Sequence, residues 1–391
     1  MIRKKRKKPH VVFYFSDTGG GHRSAAEAII EAMRREYRNR FTAELVDFFK
    51  GFGPGPMRRV PELYPEMVKA KHVWQASFYA TNGRAQARLL TASLWPLMRS
   101  TMRKLIAANP ADLVVSVHPL ATSAMLRALG PKRAPFYTVV TDLVTTHALW
   151  FDTRADEILL PTEVARQRAI SYHMPRRKLR VVGLPVAERY CRPAGKKRSV
   201  RQRLGWPSGL PIVLIVGGGD GMGPLAKTAR AIDQSGLRLG MAIVCGRNQK
   251  LEDSLRAENW QNPAFVYGFT KAMPDLMRAA DVIVTKAGPG TIAEALNANL
   301  PIILYSKIAG QEDGNVAYVE SEGAGIWAPK PQLVVRTLTR WLTRPEERIT
   351  AAAAAARVAR PDAARRIARL LGRRLRLDRE SRRNHGVAAT R

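Results

Sequence analysis

Three times along this chain a short apolar run gives way to glycines and then to residues at helical spacing. His10–Phe15 leads into Gly19-Gly20-Gly21-His22, Ile212–Val216 into Gly217–Gly223, and Val282–Val284 into Gly288-Pro289-Gly290. A run that is apolar at every position suits a strand buried on both faces. Such strands belong to parallel sheets joined by helical crossovers. The glycines let the backbone come close to a ligand, and a helix that starts there offers free N–H groups to an anion. They sit where open α/β sheets bind ligands, beyond the carboxyl ends of the strands.

The remaining apolar runs extend the pattern. Ala25, Ala26, Ile29, Ile30 and Met33 recur at helical spacing after the first glycine loop. Strands are predicted at Phe41–Val46, Leu113–Val117, Phe136–Val140, Glu157–Leu160 and Leu179–Val182, then at Met241–Cys245, Phe265–Tyr267 and Pro301–Leu304. Arg192–Pro211, rich in Pro, Gly and basic residues, reads as a linker carrying a short helix.

Charge narrows the partners. Lys and Arg number 65 against 32 acids, a net charge of +33, so anionic partners follow: nucleic acid, an anionic bilayer or a phosphorylated substrate. Nucleic acid has little else in its favour, because no recognition helix or RNA-binding motif accompanies the charge. Two cysteines, Cys191 and Cys245, provide neither a disulfide framework nor a metal cluster. No apolar stretch reaches the roughly 18 residues of a membrane span, so the expectation is a soluble or peripheral protein.

Residues 47 to about 110 interrupt the rhythm. The Gly- and Pro-rich stretch Phe48–Pro56 excludes regular structure, and beyond it Trp74, Phe78 and Trp95 alternate with Arg84 and Arg88. Aromatic and basic residues interleaved on amphipathic stretches suit an interfacial membrane contact. The alternative is a helical insertion whose aromatics are core.

The candidate chemistry lies at the strand ends. His22 opens a helix after the first glycine loop and suits a general base, or else a capping role. Asp142 and His147 follow the strand Phe136–Val140, and Asp142 is a second candidate for the base or its orienting partner. His118 closes a further strand. Gly218 and Gly219 form a second cradle, and Arg247 ends the next strand as a fixed cation. Thr291 is read as the cap of a helix from Ile292 to about Asn297, with Glu294 in the capping-box position. The turn Gly310–Asn315 adds Gln311, Glu312 and Asn315 as hydrogen-bonding groups. The contiguous glycines do not fit a dinucleotide fingerprint, and no P-loop string or Asp-x-Asp motif occurs. No metal or cofactor is called for.

Taken in order, SDTGGGHRSAAEAI, VTDLVTTHALWF, VGLPV, GGGDGMGPL, VCGRN, YGFTKAMPDLM and TKAGPGTIAEA with LPIIL and AGQEDGN resemble the monogalactosyldiacylglycerol synthases and processive diacylglycerol glucosyltransferases, relatives of MurG. The resemblance implies a GT-B fold: α/β, with two Rossmann-like doubly wound domains facing each other across a cleft. The expected layout is a basic tail at 1–8, an acceptor and membrane domain at 9–190 with an insertion at about 48–110, and a linker at 191–210. A UDP-sugar domain at 211–355, a helix at 356–372 and a disordered basic tail at 373–391 complete it.

The implied activity is inverting transfer of galactose from UDP-galactose to diacylglycerol, with UDP-glucose as the alternative donor and a UDP-sugar epimerase as the alternative class. The implied partners are UDP-hexose, diacylglycerol and anionic lipid at the cytoplasmic face of a membrane. His22 or Asp142 would be the base. Gly20, Gly21, Gly218, Gly219, Gly288, Pro289, Gly290 and Thr291 would contact the donor. Glu294 would bind its ribose, Gln311, Glu312 and Asn315 its sugar region, and Arg247 and Phe269 its base. Trp74, Phe78, Trp95, Arg84 and Arg88 would meet acceptor or membrane.

Overall fold

The computed structural model describes residues 8–17, 20–49, 66–68, 70–192 and 195–378. Residues 1–7, Gly19, most of the Gly/Pro stretch (50–56) and residues 379–391 of the expected tail lie outside these. The described residues form two compact units. One draws on Met1–Met67, Ala76–Ala187 and Asp362–Arg391, the other on Val68–Gln75 and Glu188–Pro361.

The first unit is built on six parallel strands: β1 (His10–Phe15), β2 (Thr42–Asp47), β3 (Leu113–Ser116), β4 (Phe136–Val139), β5 (Glu157–Leu160) and β6 (Leu179–Val181). Their order is β2-β1-β3-β4-β5-β6, so the chain reverses direction across the sheet between β1 and β3. Alternation along β1 divides the core. Val12 and Tyr14 pack with Val114, Met125, Phe136 and Trp150 on one face. Val11, Phe13 and Phe15 pack with Ile29, Met33 and Leu113 on the other. Each such side chain contributes about 1.5–3 kcal/mol when fully buried.

Helix α1 (Gly21–Tyr37) crosses from β1 to β2, α2 spans Lys71–Thr81, α3 spans Arg84–Ala108, and α4 (Pro119–Leu129) follows β3. Phe78, expected to meet acceptor or membrane, is only 8% exposed. Its ring meets His147 edge-on at 5.1 Å, because the helix turns that face onto the loop after β4. Val73, Tyr79, Leu89 and Leu97 are exposed on α2 and α3, at 71%, 55%, 71% and 63%. Trp95 is half-buried under the Arg127 guanidinium at 4.6 Å. Trp74 and Arg84 are half-buried too, and Arg88 is exposed.

The second unit repeats the plan with β7 (Ile212–Val216), β8 (Gly240–Val244), β9 (Ala264–Tyr267), β10 (Val282–Lys286), β11 (Ile302–Ser306) and β12 (Gly325–Trp327). All pairs are parallel and the order is β12-β11-β10-β7-β8-β9, with the reversal between β7 and β10. Helix α5 (Pro289–Asn297) follows β10 and α6 (Asp313–Ser321) follows β11. Lys197–Leu204 is helical and packs within this unit through Arg201, whose guanidinium meets Asp281 at 2.5 Å. The last helix, α7 (Ala363–Arg374), belongs to the first unit, where it lies against α1. A Cβ on Gly372 would overlap the Tyr37 ring, so glycine is what permits this close approach.

Candidate active site

In each unit the glycine loops stand at the strand pair where the sheet order reverses, which is where open α/β sheets leave a crevice. In the first unit that pair is β1 and β3, and the residues beyond their ends are His22 and His118. Gly20 adopts a left-handed conformation (φ 78°) and starts α1, placing His22 in the helix's first turn. His22 Nδ1 lies 2.7 Å from Thr141 Oγ1, in the loop after β4. Its ring meets that of His118 edge-on, with centroids 4.6 Å apart. His118 Nδ1 accepts the Leu120 N–H at 3.3 Å, so the proton of its neutral ring is on Nε2.

Burial pushes the His22 pKa down to about 4, against an upward pull from the Val117 carbonyl. Burial, then the neighbouring His22, holds His118 well below the ordinary imidazole value. Both rings are therefore neutral at neutral pH. Asp142 is buried, and its Oδ2 accepts the Trp150 indole N–H at 2.6 Å. The Trp150 ring in turn stands 6.1 Å from His22. His147, by contrast, is built into the fold. Nδ1 caps Leu149 N at 3.1 Å and Nε2 meets Thr81 Oγ1 at 3.1 Å.

In the second unit the pair is β7 and β10. Gly218 is left-handed (φ +73°), and the loop containing it packs backbone to backbone on the next one, Arg247 N–H donating to the Gly219 carbonyl at 2.9 Å. The Arg247 guanidinium pairs with Asp220 at 2.9 Å and lies over the Phe269 ring at 5.5 Å. Phe269 itself is 68% exposed, an open aromatic face backed by a cation.

Helix α5 begins earlier than the sequence pattern predicts. Gly288 is its N-cap with no side-chain cap, Pro289 is its first residue, and Gly290 and Thr291 lie inside the first turn. Proline pre-set for the first helical position moves the start forward, so Thr291 is not the cap and the capping-box reading of Glu294 fails. The uncapped end leaves backbone N–H groups without side-chain partners. Glu294 faces Arg189 and Tyr190. Burial raises its pKa to about 7, opposed by the Arg189 charge and the Tyr190 hydrogen bond.

Sequence reasoning missed one residue here, Lys286, the last of β10. Its Nζ pairs with Glu312 Oε1 at 2.5 Å, while Glu312 Oε2 accepts the Ile308 N–H at 2.7 Å. A Cβ added to Gly288 would stand 3.1 Å from Nζ, and one on Gly218 would stand 3.3 Å from Cε. The lysine thus lies between both glycine loops. Its signal was the string TKAGPG, in which a charged residue at a strand end reads as solvent-facing. Asn315 is buried, with Nδ2 holding the Ala287 carbonyl at 2.9 Å and Oδ1 without a partner. Gln311 is half-buried one residue before Glu312. Among the described residues no cluster of His, Cys, Asp and Glu could hold a metal ion.

Comparison with known proteins gives the family and the fold. The family model described as Monogalactosyldiacylglycerol (MGDG) synthase matches residues 22–186, and that of the Glycosyltransferase family 28 C-terminal domain matches 212–367. A probable monogalactosyldiacylglycerol synthase, chloroplastic, of Nicotiana tabacum is 38% identical over 367 residues, covering 90% of this chain and 68% of that protein. Monogalactosyldiacylglycerol synthase 2, chloroplastic, of Arabidopsis thaliana is 35% identical over 366 residues, covering 90% and 78%. Among solved structures, Acinetobacter baumannii MurG matches with a TM-score of 0.58 and 16% identity over 93% of this chain and 99% of that one. The UDP-GlcNAc 2-epimerase of Neisseria meningitidis bound to UDP-GlcNAc matches with a TM-score of 0.61, 15% identity and the same shares of 93% and 99%. At such identities these two report fold alone: two Rossmann-like α/β domains of GT-B type.

Proposed function

Because this chain belongs to the monogalactosyldiacylglycerol synthase family, we propose that it moves galactose from UDP-galactose to the free hydroxyl of 1,2-diacylglycerol in one inverting displacement. The observation that carries the donor half is Lys286 Nζ lying between Gly218 and Gly288 beside the uncapped start of α5. A diphosphate needs a fixed cation and free N–H groups, and this corner supplies both. Thr291 and Gly290 extend the cradle, Glu294 accepts the ribose hydroxyls, and Phe269 with Arg247 forms the platform for uracil. Gln311, Glu312 and Asn315 form the sugar side, with Glu312 acting also through the lysine it holds.

The first unit supplies the acceptor chemistry. Neutral His22, oriented by Thr141, takes the proton of the glycerol hydroxyl as it attacks the anomeric carbon. The electron pair of the breaking C–O bond leaves with UDP. A base with a pKa near 4 cannot ionise an alcohol beforehand, so proton transfer accompanies bond formation. Asp142, fixed by Trp150, sits next to Thr141 and favours the imidazolium that forms. Gly20 and Gly21 border the same loop as His22.

Diacylglycerol stays in the bilayer, so the protein must come to it. Among the described residues no helix is long and apolar enough to cross a membrane. We assign attachment at the cytoplasmic face to the exposed Tyr79, Leu89 and Leu97, to Trp74 and Trp95, and to Arg84 and Arg88. Each basic side chain near an anionic leaflet adds about 1 kcal/mol. Radiolabelled UDP-galactose and UDP-glucose with diacylglycerol vesicles test the whole reading. Galactose is expected in a lipid-soluble product; label that stays water-soluble with both donors would sink it, and an epimerised UDP-sugar would mark the other class on this fold.

A further inference from the structure

Gln311 and Glu312 are presented by the turn 307–312, which leaves β11 and runs into α6 without regular structure of its own. Two carboxylates close it. Glu312 folds back on Ile308, its N–H donating to the Ile308 carbonyl at 2.9 Å and its Oε2 accepting the Ile308 N–H at 2.7 Å. Asp313, the first residue of α6, folds back further. Its Oδ2 accepts the Gly310 N–H at 3.0 Å and its Oδ1 meets Lys307 Nζ at 2.8 Å, across the left-handed Gly310 (φ 81°). The Lys307 ammonium also stands 5.4 Å from the centre of the Trp327 ring, at the end of β12. Phosphate and sugar contacts through Lys286 and Glu312 leave Asp313, Lys307 and Trp327 without a part.

We propose that Lys307 and Asp313, braced on Trp327, are positioning residues that set Gln311 and so decide between the two C4 epimers of the donor hexose. The inference rests on the reading of 310–315 as the sugar side of the site and deepens it. Galactose and glucose carry the same hydroxyls and differ in the direction of one. Selecting between them needs a polar group held in place, because a side chain free to swing meets either epimer. The Gln311 amide both donates and accepts, so it suits such a hydroxyl once its direction is fixed. Its backbone is held from both sides, through Gly310 by Asp313 and through Glu312 by Ile308. The ion pair is partly open to solvent, Lys307 at 33% and Asp313 at 28%, and a pair so open adds little to stability. What it contributes is the geometry of the turn.

The test uses the full chain with Asp313→Ala, Lys307→Met, the two combined, and Asp313→Asn. Affinities for UDP-galactose, UDP-glucose and UDP are measured by calorimetric titration, and kcat/KM for both donors with dioleoylglycerol vesicles. The wild type is expected to favour one hexose. Asp313→Ala and Lys307→Met should each lower that preference about fivefold to tenfold, with UDP affinity within about twofold of wild type. The combined variant should lose little more than either single one, because the two residues act as a unit. Asp313→Asn keeps an acceptor for the Gly310 N–H and gives up the charge, so it should fall between. An unchanged donor ratio in variants that bind UDP normally overturns the proposal. Equal losses for both donors, the mark of a purely structural pair, overturn it too, as does a wild type without preference. A preference for glucose that the variants erase would remove galactose from the proposed function and leave the positioning role standing. A binding preference without transfer to lipid would remove that function altogether, and its loss in the variants would still report on the pair.

Discussion

Lys286 and Glu312 form an ion pair in which the carboxylate is 2% exposed and its second oxygen is held by the Ile308 N–H. A pair this buried is costly to desolvate, and its retention between two glycine loops points to a use for the cation. Lys286→Met is expected to weaken UDP binding about 10- to 100-fold, the scale of one charge-assisted hydrogen bond, while uridine affinity stays within about twofold. Calorimetric titration with both ligands checks this. Equal losses for UDP and uridine would mean a collapsed loop in place of a missing phosphate contact. Because the substitution leaves Glu312 buried and unpaired, the comparison is repeated with Lys286→Met/Glu312→Gln.

Glu294 gives the donor site a pH dependence. Its folded pKa of about 7 lies above the usual glutamate value because of burial. The folded chain therefore keeps a proton that the unfolded chain releases, and this group's contribution to stability is greatest at acid pH and is lost as pH rises through about 7. Ribose hydroxyls need the ionised carboxylate as acceptor, so UDP affinity should rise between pH 6 and 8. Below pH 7, binding should release a proton, read from the buffer dependence of the binding enthalpy. Glu294→Gln should flatten the pH slope; a slope that persists unchanged would assign the titration elsewhere.

The architecture was largely written in the apolar runs. His10–Phe15 and Ile212–Val216 coincide with β1 and β7, because strands buried on both faces leave no ambiguity of period. The three-residue β12 escaped notice, being too short for any pattern to repeat. Helix α5 starts at Pro289, ahead of the Thr291 cap read from sequence, because a Gly-Pro-Gly string reads as a break although proline is pre-set for the first helical position. For Phe78 the sequence left both an acceptor or membrane contact and a place in the core open, because composition reports that a helix is amphipathic without saying which face meets His147. Lys286 went unseen because its meaning depends on Glu312, 26 residues away, and on two glycines in separate loops.

Asp281 is a stability centre remote from the chemistry. One carboxylate oxygen meets Arg201 at 2.5 Å and the Ile212 N–H at 2.7 Å, and the other meets Lys197 at 2.8 Å. It ties the helix Lys197–Leu204 to the starts of β7 and β10. Asp281→Ala strands Arg201, itself 6% exposed, without its counter-charge. A loss of about 3–5 kcal/mol is expected, measured by denaturant titration. The carboxyl is held below its ordinary pKa against the cost of burial by Lys197, the Ile212 N–H and Arg201. Its contribution is therefore present at neutral pH and lost as pH falls through that lowered value. A variant within about 0.5 kcal/mol of wild type would show that the charges are solvated in solution.

His22 and Thr141 bring the base under direct test. His22→Ala should lower kcat by orders of magnitude with UDP affinity unchanged, and Thr141→Val, which removes only the 2.7 Å partner of Nδ1, should cost less. The pH profile separates a base from a structural ring. A folded pKa near 4 keeps His22 unprotonated where an ordinary histidine would begin to charge, so the acid limb of kcat/KM should lie near pH 4 instead of 6.5. The sign for stability is the reverse of that for Glu294. Between about pH 6.5 and 4 the unfolded chain takes up a proton that the folded chain refuses, so His22's contribution falls as the solution is acidified. His22→Gln, neutral at every pH, should therefore be less sensitive to acid in its unfolding midpoint while remaining inactive. An active His22→Gln would transfer the role of base to Asp142.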